Sequence, residues 1–195
     1  MTLRPDLAAI AAHVAPGSRV LDIGCGDGAL MAELEAVSGC DARGMELDGE
    51  QVERCVSRGL SVVQGDANLD LANYPDKAFD YAILSQTLQT ATRPDLMLDE
   101  LLRVGRRAFV SFPNFAHWRT RMALLLGGRM PVTRALPVSW YETQNIHHVT
   151  VTDFLQLLRD KGVSIERSWF FSGDTELGAL GANWRAEYAV YLLSR

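Results

Sequence analysis

The stretch Val20-Leu21-Asp22-Ile23-Gly24-Cys25-Gly26-Asp27-Gly28 constrains this chain more than any other: an apolar run carrying one acid enters three glycines at alternate positions. Glycine takes the positive-φ conformations of a sharp strand-to-helix turn and, having no side chain, lets a ligand lie against bare main chain. The N–H groups that open the following helix attract ligand oxygens. Residues 29–37 have the composition of that helix. The chain therefore reads as an α/β sheet with a ligand site at the carboxyl end of its first strand.

A nicotinamide-binding turn has the pattern G-x-G-x-x-G/A, which Gly24, Gly26 and Ala29 satisfy. Three neighbours favour another ligand. Asp22 stands two residues before the first glycine, where a dinucleotide-binding strand is apolar, and Gly28 is a further glycine that the spacing does not require. The next apolar stretch, 42–46, ends in Glu46, placed to accept both hydroxyls of a ribose, and a third, 61–66, ends in Asp66. Asp22, Asp27, Glu46 and Asp66 around one cleft disfavour a pyrophosphate but suit a ligand with an ammonium and a sulfonium. S-adenosylmethionine has both. The bland alternative is a turn beside solvated acids.

Val20–Gly28, Glu46, Gly65-Asp66 and Phe79-Asp80-Tyr81-Ala82-Ile83-Leu84-Ser85 resemble, in order and spacing, the motifs of class I S-adenosylmethionine-dependent methyltransferases. The resemblance implies that Gly24, Gly26 and Gly28 line the methionine part of the cofactor, that Glu46 holds the ribose, that Asp66 reaches the adenine amino group and that Asp22 lies near the amino end. Ser85 and Gln86, at and just after the fourth strand and beside the expected methyl position, complete the implied set. A narrower resemblance rests on Ile83-Leu84-Ser85-Gln86-Thr87-Leu88-Gln89, Arg103-Val104-Gly105-Arg106-Arg107-Ala108, Ser111-Phe112-Pro113-Asn114-Phe115, Gly128-Arg129-Met130-Pro131-Val132-Thr133 and Asn145-Ile146-His147. These runs are similar to the MetW family of methionine biosynthesis proteins, with His148-Val149 departing from the family's Leu-Cys-like pair. Membership implies action alongside a homoserine O-acetyltransferase or O-succinyltransferase, without fixing a methyl acceptor.

The 195 residues, 48% of them apolar, suffice for one domain with a substantial core. A net charge of −5 argues against a general nucleic-acid or acidic-membrane binder. No apolar run approaches the ~20 residues of a membrane span, and residues 1–14 lack the features of a secretory signal, so a cytoplasmic location is expected. Cys25, Cys40 and Cys55 form no C-x-x-C pair and read as reduced, buried thiols. No metal-ligand spacing stands out.

Alternating apolar strands and helical segments call for a doubly covered, mostly parallel sheet. The expectation is a Rossmann-like, seven-stranded class I methyltransferase sheet with an antiparallel C-terminal strand. Helices are expected at 4–14, 49–58, 94–105 and 152–161, the last capped by Thr152, with 68–77 and 173–183 as loops. An insert over 113–144 follows the fifth strand and is placed to roof the site; within it 118–126 has the look of an amphipathic helix.

Methyl transfer needs an aligned acceptor made nucleophilic. Histidine is the residue type whose charge changes near neutrality, which makes His147 the candidate base, and Tyr141, Asn114 and Gln86 are candidates to orient an acceptor. His147 could equally satisfy backbone groups beneath the insert. Residues 101–141 contain no Asp or Glu but include Arg103, Arg106, Arg107, Arg119, Arg121, Arg129 and Arg134. That pattern predicts a positive face, for an anionic substrate or an acidic partner surface, with Arg119, Arg121 and Arg129 at its centre.

Overall fold

A computed structural model describes residues 3–133 and 136–195. Strands β1 (Arg19–Ile23), β2 (Asp41–Glu46), β3 (Ser61–Gln64), β4 (Phe79–Ser85), β5 (Gly105–Pro113), β6 (Ser164–Ser172), β7 (Thr175–Leu177) and β8 (Tyr188–Ser194) form one sheet in the order β3-β2-β1-β4-β5-β8-β6-β7. The first five are mutually parallel where they pair. β8 enters antiparallel to β5, and β6 pairs antiparallel with β8. The order reverses between β1 and β4, which opens a crevice at the carboxyl ends of both strands.

The sheet has eight strands where seven were expected. The extra one, β7, lies within the segment read as a loop. Ser172 pairs with Thr175, which leaves Gly173 and Asp174 as a two-residue turn, and Gly173 at φ +55° supplies the positive φ such hairpins need. Three residues are too few to show an alternating pattern, so β7 has no sequence signature of its own.

Helices α1 (Pro5–Ala11), α2 (Ala29–Ser38), α3 (Gly49–Ser57), α4 (Ala67–Asp70), α5 (Pro94–Val104), α6 (Trp118–Gly127), α7 (Val151–Asp160) and α8 (Ala182–Arg185) complete the fold. Short α4 and α8 fall in stretches expected to be loops. α7 begins one residue earlier than the sequence suggested, because the hydroxyl of Thr150, not Thr152, accepts from Asp153 N at 3.1 Å.

Alternation along the strands divides the core. Leu21, Ile23, Leu84, Val110 and Phe112 pack with Leu98, Leu101 and Phe154 on one face, while Val20, Ile83 and Phe109 pack with Ile10, Leu30, Leu34 and Trp169 on the other. Asp22 stands two positions after Val20 and so shares its face, directed toward the start of α1 and α2. A carboxyl is thereby placed at 3% exposure inside an otherwise apolar strand.

Candidate functional site

The three loop glycines have three different reasons to be glycine. All sit at positive φ, +70° for Gly24, +54° for Gly26 and +74° for Gly28. A Cβ on Gly24 would lie 2.5 Å from Thr87 Oγ1, so the loop is pressed against the exit of β4. On Gly28 it would lie 2.4 Å from Leu60 Cδ1 and 3.0 Å from Cys55 Sγ, in the packing of α3 against the sheet. On Gly26 it would meet nothing within 4 Å. Gly26 thus faces open space, which is the cavity.

That cavity, of about 800 Å³, is walled by Gly24, Cys25, Gly26 and Asp27 of the loop, Asp22 below, Glu46, Leu47 and Asp48 after β2, and Arg4 with Ser85 opposite. Gln144, from the segment before α7, also lines it. Glu46 latches the loop: Oε2 accepts from Gly26 N at 2.8 Å, and Oε1 accepts from Leu47 N at 2.8 Å and Asp48 N at 3.0 Å. A carboxylate has about four acceptor positions, so one remains for a ligand hydroxyl.

Asp22 is the electrostatic anomaly. Burial pushes its carboxyl up to about 7, Glu46 adds to the rise and Arg4 opposes it. Burial likewise pushes the Cys25 thiol far above its ordinary range, and that of Cys55 upward, so neither is an activated nucleophile.

Two residues that the sequence gave no reason to single out complete the wall. Asp6, 1% exposed in the first turn of α1, is a hub at the ends of β4 and β5. Its Oδ2 accepts from Ser85 Oγ and Ser111 Oγ, both at 3.2 Å, and from Gln86 Nε2 at 3.3 Å. Arg4 grips the same carboxylate from Nε and Nη2, each at 3.1 Å, and donates to Ser85 Oγ at 3.2 Å. Arg4 also borders a second, smaller cavity of about 190 Å³, lined by Asp6, Gln86, Pro113, Pro137, Glu187 and Tyr188. Pro5 at a helix start was visible in the sequence, but contacts spanning about eighty positions leave no local trace.

Of the expected cofactor residues, Asp22, Gly24, Gly26, Glu46 and Ser85 are gathered around the large cavity, while Gly28, Asp66 and Gln86 are not among its lining residues. Asp66 caps α4: Oδ1 accepts from Asn68 N at 2.9 Å and from Asn68 Nδ2 at 2.7 Å. Gln86 lines the second cavity at φ +51°, an unfavourable conformation for a non-glycine, held by Gln86 N donating to Ser111 O at 2.9 Å. His147 borders neither cavity. Its N–H donates to Gln89 O at 3.0 Å, and its Nε2 is buried without a hydrogen-bond partner among the described residues, as is Gln89 Oε1. Tyr141 is exposed and packs edge-on against Trp140. Asn114 has no capacity left to orient an acceptor. Its Nδ2 donates to Asn183 O at 3.1 Å and Ala186 O at 2.8 Å, and its Oδ1 accepts from Ala116 N at 3.2 Å and Val151 N at 3.3 Å.

The arginine-rich stretch is partly neutralised by acids outside it, one of them on the same helix as its partner. Arg103 pairs with Glu100 and Asp76, Arg106 with Asp80, and Arg107 with Glu166. Arg119 lies over the Trp118 ring and 3.9 Å from Glu187, Arg121 donates to Ala116 O and lies over Trp184, and Arg129 is exposed. Arg134 lies outside the described residues.

A glycine turn leaving β1, acids closing β1 and β2, and an antiparallel strand inserted beside β5 together define the class I methyltransferase fold. A structure described as an S-adenosylmethionine-dependent methyltransferase from Mesorhizobium loti matches with a TM-score of 0.73 at 18% identity, covering 98% of both chains. Another, from Archaeoglobus fulgidus, matches with a TM-score of 0.72 at 16% identity over 97% of this chain and 91% of that one. Within that class the chain belongs to the family "Methionine biosynthesis protein MetW", matched over residues 4–193. It is 34% identical over 183 residues to the bifunctional methionine biosynthesis protein MetXA/MetW of Rhodopirellula baltica, covering 89% of this chain and 29% of that protein. The chain thus spans less than a third of that relative's length.

Proposed function

We propose that this chain binds S-adenosylmethionine, or its product S-adenosylhomocysteine, in the large cavity and acts with a homoserine O-acetyltransferase or O-succinyltransferase in methionine biosynthesis. The observation that carries the reading is the bare main chain at Gly26, facing open space between Glu46 and Asp22. Glu46 has an acceptor position for a ribose hydroxyl, Asp22 would face the ligand's ammonium, and Arg4 would take its carboxylate. Asp66, with both of its side-chain bonds on Oδ1, would turn its other oxygen to the adenine amino group. The sulfonium, when bound, supplies an electrophilic methyl group. Every other feature of the wall described above serves to bind and orient.

The three cysteines are free and buried, which suits the reducing cytoplasm, and among the described residues no helix is long and apolar enough to cross a membrane. Support for the partner comes from the Rhodopirellula protein, whose name joins MetXA and MetW in one polypeptide. Calorimetric titration with S-adenosylmethionine and S-adenosylhomocysteine, repeated with the acyltransferase present, tests both halves. Saturable binding of either compound, with an affinity that changes when the acyltransferase is added, is the expected result. Absence of binding at millimolar ligand removes the first half, and absence of any complex with the acyltransferase, with or without ligand, removes the second.

The second cavity favours one alternative, an active methyltransferase for a small acceptor held between Asp6, Gln86 and Glu187. Transfer of labelled methyl to a metabolite extract distinguishes it: intact cofactor binding without labelled product counts against catalysis.

A further inference from the structure

α6 departs from the pattern of α2, α5 and α7, the other helices of ten residues or more, each of which buries at least three residues. Of its ten residues only Thr120 is buried, and its last turns carry Leu124, Leu125 and Leu126 in succession, the latter two 77% and 78% exposed. Three consecutive leucines fan out around a helix and cannot all reach one core, so packing within this chain does not account for them. Just beyond the α6 cap, Phe115, Met130, Leu136, Val138 and Trp140 line an apolar cleft of about 300 Å³. Trp140 itself is 74% exposed. Large aromatic and aliphatic side chains left in water beside an apolar cleft mark an association surface.

The charge around this region is mainly positive. Residues 101–141 contain no acid, and with Arg103, Arg106 and Arg107 paired elsewhere, the described arginines on and beside this helix are Arg119, which lies 3.9 Å from Glu187, Arg121 and, one residue past the Gly128 cap, Arg129. The result is an apolar centre with a cationic rim on a chain of net charge −5. Such a face fits a protein that presents apolar side chains ringed by carboxylates. None of α6 lines the large cavity, so the face is free to bind while the cofactor is in place.

We propose that α6 and the adjoining cleft are the docking surface for the homoserine O-acyltransferase, with Leu125, Leu126 and Trp140 as its apolar anchors. The inference rests on the partner named under Proposed function, and the joining of the two units in the Rhodopirellula polypeptide selects that occupant over a second copy of this chain. Equilibrium binding of the purified acyltransferase from the same organism to wild-type chain, to Leu125→Asp/Leu126→Asp and to Trp140→Ala is the test. All three positions are exposed, so the variants fold, and retained S-adenosylmethionine binding verifies it. Each variant should weaken the complex by about tenfold or more, and association of the wild type should slow as salt is raised. If the wild type binds and both variants bind equally well, the surface is wrong while the partner stands. If the wild type forms no complex, the partner itself is wrong. If the variants instead turn a dimer of this chain into a monomer and leave the acyltransferase complex intact, the face belongs to self-association and the proposal is overturned.

Discussion

Asp22 makes ligand binding depend on pH with a sign and size that follow from its position. Its carboxyl, ordinarily titrating near 3.8, is pushed up to about 7, chiefly by burial. In the unfolded chain it has lost its proton by pH 5, whereas in the folded, ligand-free chain it still holds it. The folded state therefore binds more protons between those two values, and this group's contribution to stability falls as pH rises from about 4, levelling off above about 7. A cationic ligand responds in the opposite sense, because it gains from the ionised form. From pH 5 to pH 7 the ionised fraction grows from about one in a hundred to about one half, so affinity should rise about 50-fold, or about 2.3 kcal/mol. Calorimetric titration with S-adenosylmethionine across this interval reads the slope directly, and buffers of different ionisation enthalpy report release of about one proton at the acid end. Asp22→Asn should flatten the profile and, above pH 7, raise the melting temperature of the ligand-free protein while weakening the ligand. Wild-type affinity that is level from pH 5 to 7, or an unchanged slope in Asp22→Asn, would refute the assignment.

Gly26→Val should abolish binding of the same ligand, since the added side chain occupies the open space and strains a residue at φ +54°; full affinity in calorimetry would relocate the site. Glu46→Ala removes a ribose acceptor and the latch on three N–H groups, and should weaken the ligand by ~1 to 3 kcal/mol; unchanged affinity would count against the ribose role. Gly28→Ala should cost ~1 to 3 kcal/mol of folding stability by driving a methyl into Leu60 and Cys55, read as a lower denaturant midpoint. Asn114→Ala should be destabilising by a similar ~2 to 4 kcal/mol because it orphans two carbonyls and two N–H groups; a midpoint equal to that of the wild type would show that water replaces them.

The sheet was legible where period and punctuation agree. β1 and β4 coincide with the apolar runs leading into Gly24 and spanning Phe79–Ser85, because those runs end in chemistry that stops a strand: a glycine turn in one, Ser85-Gln86 in the other. The acids at the ends of β1 and β2 were legible for the same reason, since a carboxylate at the end of a buried strand has few other uses. What failed to show was anything settled by contacts between distant segments. Gly28 looks like Gly26 in sequence, yet one is spared a Cβ by its neighbours in the core and the other by a void. Asp66 was read as reaching toward a ligand; what did not show is that its Oδ1 also caps α4, a helix too short to announce itself. The acid-free stretch suggested a positive face, whereas the fold brings Asp76, Asp80 and Glu166 to three of its seven arginines. Asp6 and Arg4 were invisible because their meaning depends on Ser85 and Ser111.

Arg4 stands in the partition between two chambers, with its guanidinium committed to Asp6. An occupant of the larger chamber that draws this cation toward its own carboxylate leaves Asp6 with a charge to share, and the smaller chamber becomes more welcoming to a positive or hydroxylated guest. The order in which the two compartments fill would then turn on a single side chain at the N-terminal cap of α1.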